Sequence, residues 1–206
     1  MEADTVAHCG NSLADDFVWS LAMTDILTGW TECRAIWNKG ARGVAAQVQS
    51  VEAAIPFPLK GFDCDNGSEF LNNHLLRYFA DHPRSPAFTR SRPYKKNDNA
   101  HVEQKNWSQV RQLFDYDRFD NPALAELMND IYAINLILLQ NFFCPTLKLK
   151  EKVRIAAGIT KNTILRRRPV RGVGLHMYPY MSKNNACATL PFLSILLTSS
   201  GELRKN

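Results

Sequence analysis

Leu59-Lys60-Gly61-Phe62-Asp63-Cys64-Asp65-Asn66-Gly67-Ser68-Glu69-Phe70 is the stretch on which the fold turns. Residues 59–63 read as a short strand, and Asp65-Asn66-Gly67-Ser68 has the composition of a turn in which Ser68 can cap the next helix. Glu69 to Ala80 then carries Phe70, Leu71, Leu75 and Phe79 at helical spacing. Upstream, Ala41 to Ala54 places Val44, Val48 and Val51 on one helical stripe until Pro56 and Pro58 end it. Downstream, Pro86-Ala87-Phe88-Thr89 is the next strand candidate. Helices alternating with strands indicate an α/β protein.

Moving outward toward the N-terminus, residues 2–8 and 17–24 read as strands joined through the turn composition Cys9-Gly10-Asn11-Ser12. Thr31 to Trp37 is a third strand after Thr28-Gly29-Trp30. Short links between three strands predict an antiparallel meander, so the order βββαβαβ followed by helices gives a mixed five-stranded sheet flanked by helices. Toward the C-terminus, Arg90 to Asn97 is a polar, basic loop leading to a helix that starts at Asp98 or Asn99, both good N-caps, and runs to about Phe114. Trp107, Val110 and Phe114 are its core residues. Another helix starts at Asn121-Pro122, a cap followed by proline, with Leu124, Leu127, Met128, Ile131 and Leu138 as its apolar face. Beyond Cys144-Pro145 the pattern degrades; Leu190 to Thr198 reads as a strand or short buried helix.

At 206 residues, with 45% hydrophobic and 22% charged, the chain is long enough for one packed domain. Its five cysteines are odd in number and form no C-x-x-C pair, which fits a reducing cytoplasm better than a disulfide framework. No uninterrupted apolar run approaches the roughly 20 residues that span a bilayer, and the N-terminus lacks signal-peptide order. Charge divides the chain: residues 1–147 hold 13 Lys/Arg against 18 Asp/Glu, and residues 148–206 hold 12 against 2. The expected organisation is therefore a core over 1–147 and a divergent basic C-terminal segment over 148–206. Such a segment is an electrostatic footprint for nucleic acid, or else a solvated tail.

Three acids carry the chemistry. With Glu103 at zero degrees on a helical wheel, Trp107, Val110 and Phe114 fall within about 40° of it, at the centre of the apolar stripe. A carboxylate buried there needs an Arg partner, a proton or a cation. Asp65 follows a strand directly, where α/β sheets gather their ligands, although a plain Asn-Gly turn has the same composition. Asp4 alternates with Glu2, Val6 and His8 on one strand face, as an edge charge also would. Asp63, two residues before Asp65, competes with it for the same role. Three converging carboxylates supply the oxygen donors that hold two divalent ions for phosphoryl transfer. His8 and His101 have no zinc-site spacing and read as hydrogen-bonding residues.

These residues carry a resemblance. Asp4 in a first strand, Asp65 in Asp-Asn-Gly-Ser-Glu-Phe, and Glu103 in Asn97-Asp98-Asn99-Ala100-His101-Val102-Glu103-Gln104-Lys105-Asn106 resemble the DDE catalytic core of the retroviral-integrase and insertion-sequence transposase superfamily. Ser91-Arg92-Pro93-Tyr94 and Leu139-Gln140-Asn141-Phe142-Phe143-Cys144-Pro145-Thr146 are similar to its bacterial transposases. The likeness covers roughly residues 1–150. It implies an RNase H-like fold, Mg²⁺ or Mn²⁺ as a pair of ions, and DNA ends and target DNA as substrate. Asp4 would bridge the ions, with Asp65 and Glu103 each completing one. The implied reaction nicks a DNA end and passes the freed 3′-hydroxyl to target DNA, with homo-oligomers joining two ends. Arg90, Arg92, Tyr94, Lys95, Lys96, Lys105 and Asn106 are the DNA-contact candidates, since basic residues hold phosphates and an aromatic stacks on a base.

Transposases of this kind carry an N-terminal helix-turn-helix region, whereas this sequence opens one residue before its first strand, as a truncated or frame-shifted copy would. Two other readings are open: a catalytically inactive remnant that binds DNA or partner subunits, and an RNase H-type nuclease acting on RNA/DNA hybrids.

Overall fold

Strand alternation sets the architecture. The computed structural model describes residues 1–92, 98–144, 146–155 and 158–166. Its meander is β1 (Glu2–Ala7), β2 (Val18–Thr24) and β3 (Thr31–Trp37), followed by α1 (Ala41–Ala54), β4 (Gly61–Cys64), α2 (Asn73–Ala80) and β5 (Ala87–Arg90). The sheet order is β3-β2-β1-β4-β5. β2 pairs antiparallel with β1 and β3, while β4 lies parallel to β1 and β5, so the sheet is mixed and β1 is its central strand. Asp4 is thus not an edge charge.

The period of two gives the sheet two apolar faces. Ala3, Leu21, Met23, Phe62 and Cys64 pack with Val44, Val48 and Val51 of α1 and with Leu75 and Phe79 of α2. Val6, Val18, Ala22, Cys33 and Ala35 face the later helices through Val102, Val110, Ala125, Met128 and Tyr132. Each buried Val, Leu or Phe contributes about 1.5–3 kcal/mol. α2 starts four residues later than the sequence predicts. Asn72, not Ser68, caps it, accepting the N–H groups of His74 (2.9 Å) and Leu75 (3.1 Å).

The helix after the basic loop begins as α3 (Ala100–Lys105), passes through a π-helical turn at Asn106–Arg111, and ends as α4 (Gln112–Phe114). α5 (Pro122–Asp130) is capped as expected, Asn121 accepting the Ala123 N–H at 3.0 Å. Two π-helical stretches, Ile131–Leu136 and Leu139–Phe143, carry it on. The resulting 22-residue helix, Pro122–Phe143, is long and apolar enough to cross a membrane by length and composition. Its side chains dock it on the sheet instead. Asn129 exchanges two hydrogen bonds with the backbone of Ala35 (2.8 and 3.0 Å), and Asn141 does the same with Thr31 (3.0 and 2.8 Å). Both targets lie on β3, whose outer edge has no neighbouring strand among the described residues.

Where the sequence pattern degrades, the backbone forms a second sheet. β6 (Thr146–Ile155) pairs antiparallel with β7 (Gly158–Arg166), with a register break between Leu149 and Glu151. The 147/148 division falls inside β6. The reading of Leu190 to Thr198 concerns positions outside the described residues.

Candidate functional site

Parallel pairing of β1 with β4 builds the site. Glu2 lies opposite Asp63 and Ala3 opposite Cys64, where the pairing ends, and Asp65 follows directly, close enough for its charge to act on Asp4. Neighbouring strands lie about 4.8 Å apart, and laterally paired residues on parallel strands point to the same side. Glu2, Asp4 and Asp63 therefore share one side of the sheet. Asp63, the competitor, accepts the Thr89 hydroxyl at 2.6 Å and so turns toward β5. Asp65 accepts the Gly67 N–H at 2.9 Å, closing the Asp-Asn-Gly turn.

Gly67 leaves room for the Glu69 side chain. A β-carbon there would meet the Glu69 carboxylate at 2.5 Å. That buried carboxylate accepts the Thr5 hydroxyl and faces Lys39, both at 3.3 Å, and Lys39 also lies 4.4 Å above the Trp19 ring. Glu69 and Lys39 thereby clamp the Asp65 loop to β1 and the start of α1. Neither residue stands out in the amino-acid pattern.

Asp4 is the most perturbed acid of the site. Its Oδ1 accepts the Thr5 N–H at 2.8 Å and its Oδ2 the Asn106 side-chain amide at 2.6 Å. Burial raises its pKa to about 6, and the negative charges of Asp65 and Glu103 push the same way against the two hydrogen bonds. Asp65 and Glu103 are thus both near enough for their charges to act on Asp4.

Glu103 corrects the helical wheel. It is exposed, as is Trp107 at 55%, while Val102, Asn106, Gln109 and Val110 form the buried side. Two causes combine: the π-helical turn shifts the phase of a wheel drawn at 100° per residue, and two of the buried positions are polar. The expected cap is corrected too. Among the described residues the Asn99 side chain accepts no helix N–H, and its Oδ1 takes the Ser91 hydroxyl at 2.7 Å. Glu2 fills the role from β1, accepting the N–H groups of His101 (3.0 Å) and Val102 (2.9 Å).

The DNA-contact candidates divide. Arg90 is exposed at the end of β5. Arg92 is also exposed but forms a two-pronged ion pair with Asp98, at 2.9 and 2.8 Å. Lys105 is half-buried, and its charge reaches Cys33 on the sheet. Asn106 is buried against Asp4, so it is a partner of the acidic site and presents no surface to a helix-sized ligand. Tyr94, Lys95 and Lys96 lie outside the described residues. His8 is no ligand either. It is buried, bonded to Ser20 at 2.8 Å and stacked on Phe119, and burial together with the Arg111 charge lowers its pKa to about 4.

The chemistry of the donor set suits a hard divalent cation, since all three acids offer carboxylate oxygen and a cation would offset the burial and the neighbouring negative charges that raise the Asp4 pKa. Among the described residues no group of three or more His, Cys, Asp or Glu side chains is arranged so that it could hold a metal ion as it stands. The acids are neighbours, with Asp4 and Asp65 each engaged by backbone N–H groups.

No family model matches the chain. The uncharacterized protein y4rM of Sinorhizobium fredii (strain NBRC 101917 / NGR234) is 39% identical over 161 residues, 78% of this chain and 45% of its own length. The chain thus spans less than half of that curated relative. Among solved structures, a catalytic core domain of BIV integrase is similar at 16% identity over 69% of this chain and 82% of its own, with a TM-score of 0.46. A chain of the simian T-cell lymphotropic virus intasome, solved with PP2A regulatory subunit B56 gamma, matches 71% of this chain and 49% of its own at 14% identity, with a TM-score of 0.50. With its mixed five-stranded sheet in the order β3-β2-β1-β4-β5 and helices on both faces, the chain has an RNase H-like fold, similar to that of the intasome chain.

Proposed function

We propose that this chain is the phosphoryl-transfer core of a metal-dependent DNA transposase or integrase. The reading is supported by the parallel register of β1 with β4, which ends one residue before Asp65, and by the negative charges of Asp65 and Glu103 that act on Asp4. In this reading Asp4, Asp65 and Glu103 would hold Mg²⁺ or Mn²⁺, which when bound would supply activation of the attacking water or 3′-hydroxyl and charge stabilisation at the leaving oxygen. The chain's own residues do the rest. Asn106 and the Thr5 N–H orient the Asp4 carboxylate, and the Asp65 turn is held by Gly67 and Glu69. Arg90 and Lys105, with Tyr94, Lys95 and Lys96 from the basic loop, would meet DNA phosphates and bases. Element ends and target DNA are the substrates, and self-association would bring two ends together.

Nicking and strand joining on plasmid DNA with Mn²⁺ or Mg²⁺ test this. Asp65→Asn and Glu103→Gln should each lower the rate by about two orders of magnitude or more while DNA binding persists. Because Glu103 is exposed, Glu103→Gln should also leave unfolding stability within about 0.5 kcal/mol of the parent. DNA binding with no metal-dependent cleavage would instead identify a non-catalytic remnant, and cleavage confined to RNA/DNA hybrids would identify an RNase H-type nuclease.

A further inference from the structure

Glu2 stands two residues before Asp4 on the same face of the central strand, and it is almost fully buried at 2% exposure. A carboxylate so placed needs compensation, and α3 provides it. One oxygen accepts the N–H groups of His101 (3.0 Å) and Val102 (2.9 Å), and the other lies 2.8 Å from the His101 Nδ1. The first turn of a helix has N–H groups with no partner inside the helix and carries the positive end of its dipole, so an anion is favoured there. This cap comes from a strand 99 residues away in sequence.

A second tie lies one turn further on, where the Asn106 amide donates to Asp4 at 2.6 Å. The two anchor points on β1, Glu2 and Asp4, thus grip the helix at residues 101–102 and at residue 106. Glu103 lies between the grips. Its distance from Asp4 is therefore set by the Glu2 clamp as well as by the Asn106 contact. Both Glu2 oxygens are turned to α3, which separates its role from that of Asp4 and Asp65.

We propose that Glu2 is a positioning residue that fixes the start of α3 to β1, holds Glu103 at reach of Asp4 and Asp65, and thereby sets the divalent-cation affinity of the acidic site. The inference rests on the metal-dependent reading of that site. Loss of a residue that orients a metal ligand typically lowers affinity by 10- to 100-fold.

The test uses the full chain and Mn²⁺ itself. Bound Mn²⁺ is measured by electron paramagnetic resonance, exchange of the His101 and Val102 amides by NMR, and nicking kinetics on plasmid DNA. Glu2→Ala should raise the Mn²⁺ midpoint by about tenfold or more, speed exchange of both amides and leave KM for DNA unchanged. Glu2→Gln should recover most of the loss, because its oxygen still accepts the two N–H groups and its amide faces the imidazole. Should Glu2→Ala not fold, Glu2→Asp keeps the charge but shortens the reach by one methylene, and the same rise in midpoint is expected. An unchanged Mn²⁺ midpoint despite faster amide exchange, or binding lost only in proportion to the unfolded fraction, would overturn the proposal. Wild-type protein that binds Mn²⁺ but never nicks DNA would defeat the strand-transfer reading alone, since the midpoint shift still decides the role of Glu2. Wild-type protein that binds no Mn²⁺ would defeat both.

Discussion

At the scale of single residues, Asp4 on β1 and His8 just past its end are shifted in opposite senses. The folded chain holds a proton on Asp4 from its ordinary 3.8 up to about 6, where the unfolded chain has released it. Stability therefore falls as pH rises through that window, by at most about 3 kcal/mol for this group. His8 is neutral in the fold down to about 4, although the unfolded imidazole takes its proton near 6.5. Its contribution is complete above 6.5 and is lost as pH falls toward 4. Between pH 4 and 6 the two largely cancel. Asp4→Asn removes one side of the balance, so at pH 7 it should be more stable than the parent by up to about 3 kcal/mol, with the gap closing below pH 4. Urea unfolding of both proteins at pH 4, 5.5 and 7 measures this, and a pH-independent gap would show that Asp4 does not titrate as described. The same substitution should abolish metal-dependent nicking, which makes Asp4 a position where stability and activity are opposed.

At the scale of elements, β3 shows how an exposed strand edge is closed without another strand. An edge strand presents unpaired N–H and C=O groups that invite association with other chains. Asn129 and Asn141, from one long helix, each present a carbonyl and an amide to a single β3 residue, much as a neighbouring strand does. Thr31 and Asn141 are almost wholly shielded from solvent, at 2% and 1% exposure. Asn141→Ala leaves both Thr31 groups without that partner and should cost about 2 kcal/mol. Asn129→Ala should cost less, because Asn129 is only half-buried and water can replace its side chain. Paired denaturation curves check the order, and a larger loss at Asn129 would contradict it. The same helix shows the limit of reading an apolar pattern. Leu127 and Ile134 are mostly exposed, while Ala125, Met128 and Tyr132 form the buried face, because the stripe is too broad to single out one side.

At the scale of the whole molecule, the two halves of the mixed sheet do different work. The antiparallel meander β1-β2-β3 supplies the buried centre, and the parallel β1-β4-β5 half carries Asp4 on β1 and Asp65 just past the end of β4. A cation bound there stabilises only the folded chain, so Mn²⁺ at a hundred times its Kd should add about 2.7 kcal/mol to unfolding stability. Thermal unfolding with and without Mn²⁺ checks this: the parent should melt higher with the ion, and Asp65→Asn should not respond. An equal response in Asp65→Asn would place the ion elsewhere.

Much of this was legible in the chain. Valine spacing marked α1, Asn121-Pro122 marked the start of α5, and the strand order pointed to a mixed sheet, because each is written in local periodicity or local hydrogen bonding. Asp4, Asp65 and Glu103 were nameable from their motifs, and Glu2 was visible only as the residue that alternates with Asp4. What the sequence by itself determined is therefore which segments become strands and helices and which acids are available to a site. Only the tertiary structure decided that β4 lies parallel to β1 with Asp63 opposite Glu2, that Glu103 faces outward, and that a strand residue caps α3 from 99 positions away. The physical reason is that register, helical phase and capping at a distance depend on which surfaces meet, and no periodicity within one segment records its partner.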